Sequence, residues 1–211
     1  MHILPQSFYN RPTLKVAQDL LGCFLVILPS GKSRTTNAAH ANSTVRYKIV
    51  EVEAYDGLND LASHASRGRT ERNKIMFGPA GMIYVYFTYG MYYMLNIVTG
   101  VKDYPAAVLI RAVEPPPPLV TSPRLRSGQT RERGAIITNG PGKLTKVLGI
   151  DKRFHGLPIY VKRHGLWIES GERIKPSQIK KTTRIGVDYA GKYRDKNWRF
   201  YIRGNQFISR K

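Results

Sequence analysis

Two carboxylates and a phenol share one short apolar stretch of this sequence. In "YKIVEVEAY", strand alternation predicts that Glu51, Glu53 and Tyr55 lie on one face, together with Tyr47 and Ile49. Acids in strands usually lie on a solvated surface, where they pair with Lys or Arg. A carboxylate held in an apolar strand could instead act as a general base on a water molecule.

An arginine lies inside a second apolar stretch, "AAVLIRAVE". Arg111 follows Leu109 and Ile110 there, so we expect it to be drawn toward the interior, where a guanidinium needs an anionic or carbonyl partner. An ion pair with one of the strand acids in the core would satisfy it. Alternatively, the arginine and a carboxylate together hold a water molecule, with the carboxylate as base. The residues leave both interpretations open.

Tyrosines are concentrated in "GMIYVYFTYGMYYMLNIV". Alternation places Tyr84 and Tyr86 on one strand face, and Tyr89 falls in the turn before Gly90. Tyrosines in strands most often pack in cores or on sheet surfaces. In a basic protein, aromatic faces also suit the stacking of bases, and an aromatic side chain at the tip of a turn suits insertion into a base stack.

One histidine precedes several arginines in "ASHASRGRTERN". His64 has no second His, Cys or acid at the spacing of metal ligands, so we predict no metal site. Arg67, Arg69 and Arg72 follow it, and their simplest interpretation is contact with phosphates.

The composition indicates a polyanionic partner. The 211 residues include 34 Lys and Arg against 14 Asp and Glu, which gives a formal net charge of +20. Nucleic acid is therefore the first candidate. Hydrophobic residues make up 42% of the chain, which is ample for a packed core and argues against a disordered basic tail. The one cysteine, Cys23, excludes a disulfide framework and a cysteine-rich zinc site.

The elements that must position these residues are mostly strands. The segment "RPTLKVAQDLLG" predicts an amphipathic helix with Pro12 at its first position and an end at Gly22. Strand composition extends over 23–28, 46–55, 81–90, 92–98, 106–114, 157–161 and 198–204, and short helices are predicted within 70–77, 140–150 and 175–182. Strands without regular intervening helices favour an α+β fold, a curved and mainly antiparallel sheet, open and barrel-like, with flanking helices.

We expect residues 1–211 to form a single domain, with an exposed basic loop at about 115–139 that nucleic acid could order. No stretch approaches the length of a membrane span, and the first residues lack the pattern of a signal peptide. We therefore expect no membrane association and a soluble intracellular protein. Its location would be the cytoplasm, near the nucleoid, in a bacterium, and the nucleus in a eukaryote.

Six segments, in order along nearly the whole chain, resemble the alkyladenine DNA glycosylases, also called 3-methyladenine or methylpurine DNA glycosylases. They are "IVEVEAY", "ASHASRGRTERN", "IYVYFTYGMYYMLN", "VLIRAVEP", "GPGKL" and "RIGVDYAGKYRDKNWRFYIRG". The resemblance implies a monofunctional DNA glycosylase that flips alkylated or deaminated purines out of duplex DNA and hydrolyses the N-glycosidic bond. The product would be an abasic site in base excision repair. It also implies damaged double-stranded DNA as partner, a monomer and no cofactor.

The resemblance assigns the chemistry to three positions. Glu53 would be the general base that activates water, and Arg111 and the backbone of Ile185 would help to hold that water. A nearby carboxylate would also stabilise the oxocarbenium-like state of the sugar, as in glycoside hydrolysis. Glu51 has no assigned role, and a structural ion pair is its default interpretation.

The resemblance also assigns the base pocket and the DNA surface. Tyr55, His64 and Tyr86 would sandwich and border the flipped base, and Asn96 would crowd the 2-amino group of guanine. The residues expected at the DNA are Tyr89, which would fill the gap in the duplex, and its neighbours Met91 and Tyr92, together with Arg67 and Lys143 at the backbone.

Three other functions remain alternatives. A nucleic-acid-binding protein without catalysis would explain the charge and the tyrosines but has no need of Glu53 or Arg111 in apolar strands. A zinc nucleobase deaminase needs a His and Cys trio that one cysteine cannot supply. The third is a glycosylase that attacks with a lysine amine. The resemblance favours water instead, but with 34 Lys and Arg the sequence alone does not dismiss a lysine.

Overall fold

The computed structural model describes residues 1–28, 44–117 and 138–210. Its helices are α1 (Gln6–Tyr9), α2 (Thr13–Leu20) and α3 (Pro141–Leu148). Its strands are β1 (Phe24–Ile27), β2 (Val45–Asp56), β3 (Ile83–Thr88), β4 (Tyr92–Val98), β5 (Ala106–Glu114), β6 (Leu166–Glu169), β7 (Ile179–Thr182) and β8 (Arg199–Ile202). Single turns of 3-10 helix lie at His64–Arg67, Lys74–Phe77, Lys152–Phe154, Lys162–His164, Pro176–Gln178 and Gly191–Tyr193.

The strands form one open sheet around β2. Its order is β3-β4-β5-β2-β1-β6, and β8 pairs with both β2 and β7. Every pairing between these strands is antiparallel. The prediction of a single α+β domain with an antiparallel, unclosed sheet is therefore confirmed. Along one edge, strand β2 pairs with β1 through residues 45–48 and then with β8 through residues 51–53, so it joins the two halves of the sheet.

The main core lies on one face of the sheet, beneath α2 and α3. Helix α2 buries Val16, Ala17 and Leu20, which confirms the predicted amphipathic helix. Its predicted ends are wrong by one and two residues, because Pro12 precedes the first helical residue and the helix ends at Leu20, before Gly22. Helix α3 buries Leu144 against β4 and β5. Burying a leucine side chain stabilises the folded state by about 1.5–3 kcal/mol, so these contacts fix the helices on the sheet.

Two bulges change the faces of β2 and β5 beside the predicted acids. In the β2–β5 pairing, Ile49 lies opposite Val113 and Val52 opposite Ile110, but the register shifts between these pairs. Val50 and Arg111 are the two residues that the register leaves without a partner in that strand pair. Each bulge leaves two consecutive residues on one side of its strand, so the alternation restarts after it.

Because of the bulge in β2, the prediction that Tyr47 and Ile49 share a strand face with Glu53 and Tyr55 is wrong. Tyr47 and Ile49 were expected beside Glu53 and Tyr55, but they pack in the main core with Val52 and Ala54. An extra residue in a strand reverses the direction of every later side chain, and nothing in "YKIVEVEAY" marks where that occurs.

Some predicted elements also differ. Residues 157–161 form no strand and contribute only an isolated bridge between Met82 and Pro158. The segment predicted as a helix at 175–182 is a 3-10 turn followed by β7, and β6 was not predicted. Most of the predicted basic loop, 118–137, lies outside the described residues. None of the helices in the described ranges is long and apolar enough to cross a lipid bilayer.

Candidate active site

The face of the sheet opposite the main core forms the floor of a cavity of about 390 Å³. One row of paired residues crosses four strands there: Tyr84 lies opposite Asn96, Asn96 opposite Leu109, and Leu109 opposite Glu53. The residues that line the cavity include Tyr55, His64, Met76, Tyr84, Tyr86, Thr88, Tyr89, Met94, Asn96, Ala107, Leu109, Arg111, Pro141, Ile185 and Tyr189. The structure thus brings together seven of the residues that the sequence proposed: Tyr55, His64, Tyr86, Tyr89, Asn96, Arg111 and Ile185.

Glu53 ends this row on β2, and it is fully buried directly beneath the residues that line the cavity rather than among them. Its Oε1 accepts a hydrogen bond from the backbone N–H of Ile185 at 2.8 Å. Its Oε2 accepts one from the Tyr55 hydroxyl at 3.0 Å and one from Arg111 Nη1 at 3.0 Å. Three donors from three separate segments therefore fix the orientation of one carboxylate, as a general base requires.

Arg111 is buried between the two acids of β2. Its Nε lies 3.3 Å from Glu51 Oε1, in addition to the Nη1 contact with Glu53. Burial alone would lower the pKa of Arg111, but the neighbouring carboxylates outweigh it and raise the pKa. The core ion pair that one interpretation predicted is therefore confirmed. Arg111 also lines the cavity, and its holding of a water molecule with the carboxylate stays a prediction.

Asp60 and Arg184 form a buried ion pair behind the cavity that sequence analysis missed. Arg184 Nη1 and Nη2 donate to the two carboxylate oxygens of Asp60 at 2.6 and 2.8 Å, and both side chains are fully buried. The guanidinium carbon lies 4.8 Å from the ring centroid of Tyr55 and 5.0 Å from that of Trp198. Arg184 directly precedes Ile185, so the pair also fixes the backbone that donates to Glu53.

His64 is a neutral base at the cavity wall. Its Nδ1 is 2.9 Å from the Tyr84 hydroxyl, and its ring is 4.4 Å from that of Tyr86. Burial, and secondarily the charge of Arg72, lowers the pKa of His64 to about 4. Arg72 was predicted as a phosphate contact, and it lies 5.3 Å over the Tyr86 ring. Burial raises the pKa of Tyr84 to about 12, so its hydroxyl stays protonated at neutral pH.

The lowered pKa of His64 predicts a stability change with pH. The unfolded chain takes up a proton near pH 6.5, whereas the folded one resists it down to about pH 4, so stability falls as the pH drops between these values. From pH 7 to pH 5 we expect the wild type to lose about 1 kcal/mol more unfolding free energy than a His64→Gln variant. Urea denaturation of both proteins at the two pH values measures this. Equal losses in both would contradict a proton-resistant His64.

Tyr89 projects from the turn between β3 and β4 at the mouth of the cavity. Its side chain is 78% exposed, and its backbone has a φ of 52°, in the left-handed region. Met91, in the same turn, is also exposed. Tyr189 is 71% exposed and lines the same cavity, although nothing in its sequence context distinguished it.

Five of the predicted residues do not line the cavity: Glu53 and Met91, described above, and Tyr92, Lys143 and Arg67. The ring of Tyr92 packs so closely on Gly142, in the first turn of α3, that an added Cβ would lie 2.7 Å from it. Lys143 is exposed in the same turn, 3.3 Å from Asn139 Oδ1. Arg67 is exposed at the end of the 3-10 turn that carries His64. Lys143 and Arg67 are therefore accessible to a large partner, and Tyr92 packs on the helical turn that carries Lys143.

Asn96 is buried at the floor of the cavity. Its Nδ2 donates to the backbone carbonyl of Tyr84 at 3.2 Å and lies 3.4 Å from that of Met94. The two contacts hold the amide plane in place. Across the described residues, no three His, Cys, Asp or Glu side chains are grouped so that they could hold a metal ion.

Comparison with known proteins gives a consistent family. The family model described as methylpurine-DNA glycosylase matches residues 7–206. A relative from Methanocella arvoryzae is 44% identical over 214 residues, covering 100% of this chain and 98% of the relative. Relatives from Carboxydothermus hydrogenoformans and Clostridium novyi are 43% and 41% identical, each over its whole length and 99% and 100% of this chain. All three relatives are named as 3-methyladenine DNA glycosylases.

Proposed function

The chain belongs to the methylpurine-DNA glycosylase family, and we propose that it flips alkylated or deaminated purines out of duplex DNA and hydrolyses their N-glycosidic bond. Membership makes it a DNA-3-methyladenine glycosylase, a hydrolase of N-glycosyl bonds that acts on DNA. The finer proposal is supported above all by Glu53, a buried carboxylate whose three hydrogen-bond donors, Tyr55, Arg111 and Ile185, line an aromatic cavity. The product would be an abasic site, as base excision repair requires.

Glu53 would act as the general base. Its two oxygens each accept a hydrogen bond from at least one donor, and a carboxylate has lone pairs left to accept one from a water molecule. That water would attack the sugar carbon while the purine leaves, and Glu53 would take its proton. The same negative charge would stabilise the oxocarbenium-like state of the sugar. Arg111 and the Ile185 N–H would hold the carboxylate and the water in the orientation that attack on the sugar requires.

The aromatic walls would bind the flipped purine. Tyr55 and Tyr86 both line the cavity, and their faces suit stacking and cation–π attraction to a positively charged alkylated base. His64 is neutral above about pH 5, since its pKa is about 4, so it would not repel such a base. Asn96 would crowd the 2-amino group of guanine at the floor. The site would therefore select by shape and by charge.

The outer surface would hold the duplex. Tyr89 would enter the space that the flipped nucleotide leaves, and Met91 would lie beside it at the DNA surface with Tyr92 close by. Arg67 and Lys143, both exposed, would contact phosphates, consistent with the net charge of +20. We propose that one chain, folded as a single domain over 1–211, binds the duplex as a monomer and without a cofactor.

The geometry favours water over a lysine amine as nucleophile. Among the described residues that line the cavity there is no lysine. A binding protein without catalysis would not require the buried contacts of Glu53 with Arg111 and Ile185. Burying and ordering these charged groups costs free energy. An active site needs such fixed groups, whereas a charged binding surface does not.

Incubation with defined duplexes tests the proposed function. The substrates are identical duplexes that carry one hypoxanthine, one alkylated adenine or no lesion. We expect release of the free base and an abasic site from the first two, without strand cleavage and in the presence of a chelator. Heating in alkali afterwards should cut the strand only at the released position. Failure to release any alkylated or deaminated purine would refute the proposal, and direct strand cleavage would indicate an amine nucleophile.

Tyr89→Ala is expected to weaken capture of the flipped state. Aromatic stacking contributes about 1–3 kcal/mol per base, so affinity for the damaged duplex should fall by roughly 5- to 150-fold. Affinity for an undamaged duplex, measured in the same titration, should change much less. The control is Val101→Ala, since Val101 is also exposed on a turn but does not line the cavity. Equal loss on both duplexes would argue against insertion of Tyr89.

A further inference from the structure

A second layer of residues lies behind Arg111, away from the cavity. We propose that Ser209 and Glu51 are positioning residues that hold the Arg111 guanidinium against Glu53. The inference rests on the proposed function, because its effect is seen in the rate of base release. It also gives a role to Glu51, which the sequence left as a structural acid.

Glu51 is fully buried and accepts hydrogen bonds on both oxygens. Its Oε1 accepts from Arg199 Nε at 2.7 Å and from the Ser209 hydroxyl at 2.8 Å, and lies 3.3 Å from Arg111 Nε. Its Oε2 accepts from the backbone N–H of Ser209 at 2.5 Å. The carboxylate therefore holds two guanidinium groups and one serine in a fixed arrangement.

The guanidinium of Arg111 is held along two of its edges. Nη1 donates to Glu53 at 3.0 Å on the side of the cavity. Nε and Nη2 each lie 3.4 Å from the Ser209 hydroxyl oxygen, on the opposite side. Because the fork is planar and rigid, fixing the Nε and Nη2 edge also fixes where Nη1 points. Ser209 thus bears on the orientation of Glu53 through Arg111, although it does not line the cavity.

The segment that carries Ser209 is docked on the bulges of β2 and β5. Ile208 packs with Val50 and Ala112, residues that the two bulges turn to this side. Nearby, Asn205 Nδ2 donates to Glu114 Oε2 at 2.9 Å, and its own Oδ1 accepts from the N–H of Phe207 at 2.9 Å. The bulges therefore turn Val50 and Ala112 into contact with this segment and place Arg111 beside Ser209.

The charges of the cluster support action on Arg111 rather than packing alone. Glu51 and Glu53 face Arg111 and Arg199, so two acids balance two guanidinium groups in a buried space. Without Glu51 and Ser209, Arg111 would retain only Glu53 as an acidic partner and could rotate toward the cavity. Buried polar networks hold their geometry only when every member is satisfied.

Ser209→Ala removes one hydroxyl and leaves the backbone N–H that binds Glu51. In single-turnover assays with excess enzyme we expect base release to slow by about tenfold, because a small displacement of a catalytic group is costly. Affinity for the damaged duplex should stay within about twofold, since Ser209 touches no proposed DNA contact. The matched control is Ser177→Ala, because Ser177 is exposed in the turn before β7. An unchanged rate in Ser209→Ala, normalised to folded protein, would overturn the inference.

A double-mutant cycle tests whether Ser209 acts through Arg111. Arg111→Lys keeps the positive charge but removes the Nε and Nη2 atoms that face Ser209. In that background Ser209→Ala should slow base release by less than about twofold, because the interaction it removes no longer exists. Effects that multiply independently in the double variant would overturn the proposed route.

Glu51→Gln provides a second variant with the same shape but no charge. We expect its rate of base release to fall by at least as much as that of Ser209→Ala, and its thermal melting curve, measured alongside, corrects for any unfolded fraction. A rate per folded molecule equal to that of the wild type would overturn the role of Glu51. If the wild type itself releases no damaged base, the proposed function fails, whereas release by the wild type with no change in the variants rejects only this inference.

Discussion

Glu53→Gln is expected to abolish base release while the protein still binds the damaged duplex. The amide has the shape of the carboxylate but cannot accept a proton, so the rate constant should fall by about a thousandfold or more. Its NH₂ group must also face a donor, either the Ile185 N–H or the pair Arg111 and Tyr55. Single-turnover release of hypoxanthine and a binding titration on the same duplex measure the two quantities separately.

Glu71→Gln is the matched control for this change. Glu71 is exposed and pairs with Lys74 at 2.8 Å, so the variant makes the same change in net charge far from the carboxylate contacts described above. It should release the base at close to the wild-type rate. A Glu53→Gln variant with near-normal turnover would remove Glu53 as the base and direct attention to another acid.

Asp60→Asn should cause the largest loss of stability among single substitutions in this region. It leaves the guanidinium of Arg184 buried without its bidentate acidic partner, which typically costs about 3–5 kcal/mol of unfolding free energy. The Nη1 contact with the Ala54 carbonyl and the Nη2 contact with the Tyr193 carbonyl cannot replace that charge. Urea denaturation followed by tryptophan fluorescence measures the change, since Trp198 packs against Arg184.

An exposed ion pair supplies the comparison. Arg194 and Asp195 are 3.3 Å apart with both side chains more than half exposed, so Asp195→Asn should change stability by less than about 1 kcal/mol. If the two variants lost similar amounts of unfolding free energy, burial would not explain how much the Asp60–Arg184 pair contributes to stability.

Local patterns predicted the cavity floor well. Alternation along "IYVYFT" placed Tyr84 and Tyr86 on one face, and the apolar setting of Arg111 predicted its burial beside an acid. These inferences depend only on neighbours in sequence, because strand geometry repeats every two residues. The resemblance to a known family assigned residues from distant segments to one site, which periodicity alone does not do.

The second layer was not predictable in this way. Glu51 and Ser209 are 158 residues apart, and Asp60 and Arg184 are 124 apart. Serine and arginine are common on surfaces, so nothing local marks these as partners in a buried network. The bulges at Val50 and Arg111 were also invisible, since the sequence there has ordinary strand composition. Tertiary pairing, rather than propensity, decides all three features.

The alternation of β4 and β5 has a consequence for changing substrate preference. Met94 and Leu109 line the cavity, whereas their neighbours Leu95 and Ile110 pack in the main core. A directed-evolution library restricted to Met94 and Leu109 would therefore change the shape of the cavity while the residues that pack under α2 and α3 stay unchanged. The two faces of these strands thus divide the work: one side can be varied to alter the cavity, and the other keeps the sequence of the main core.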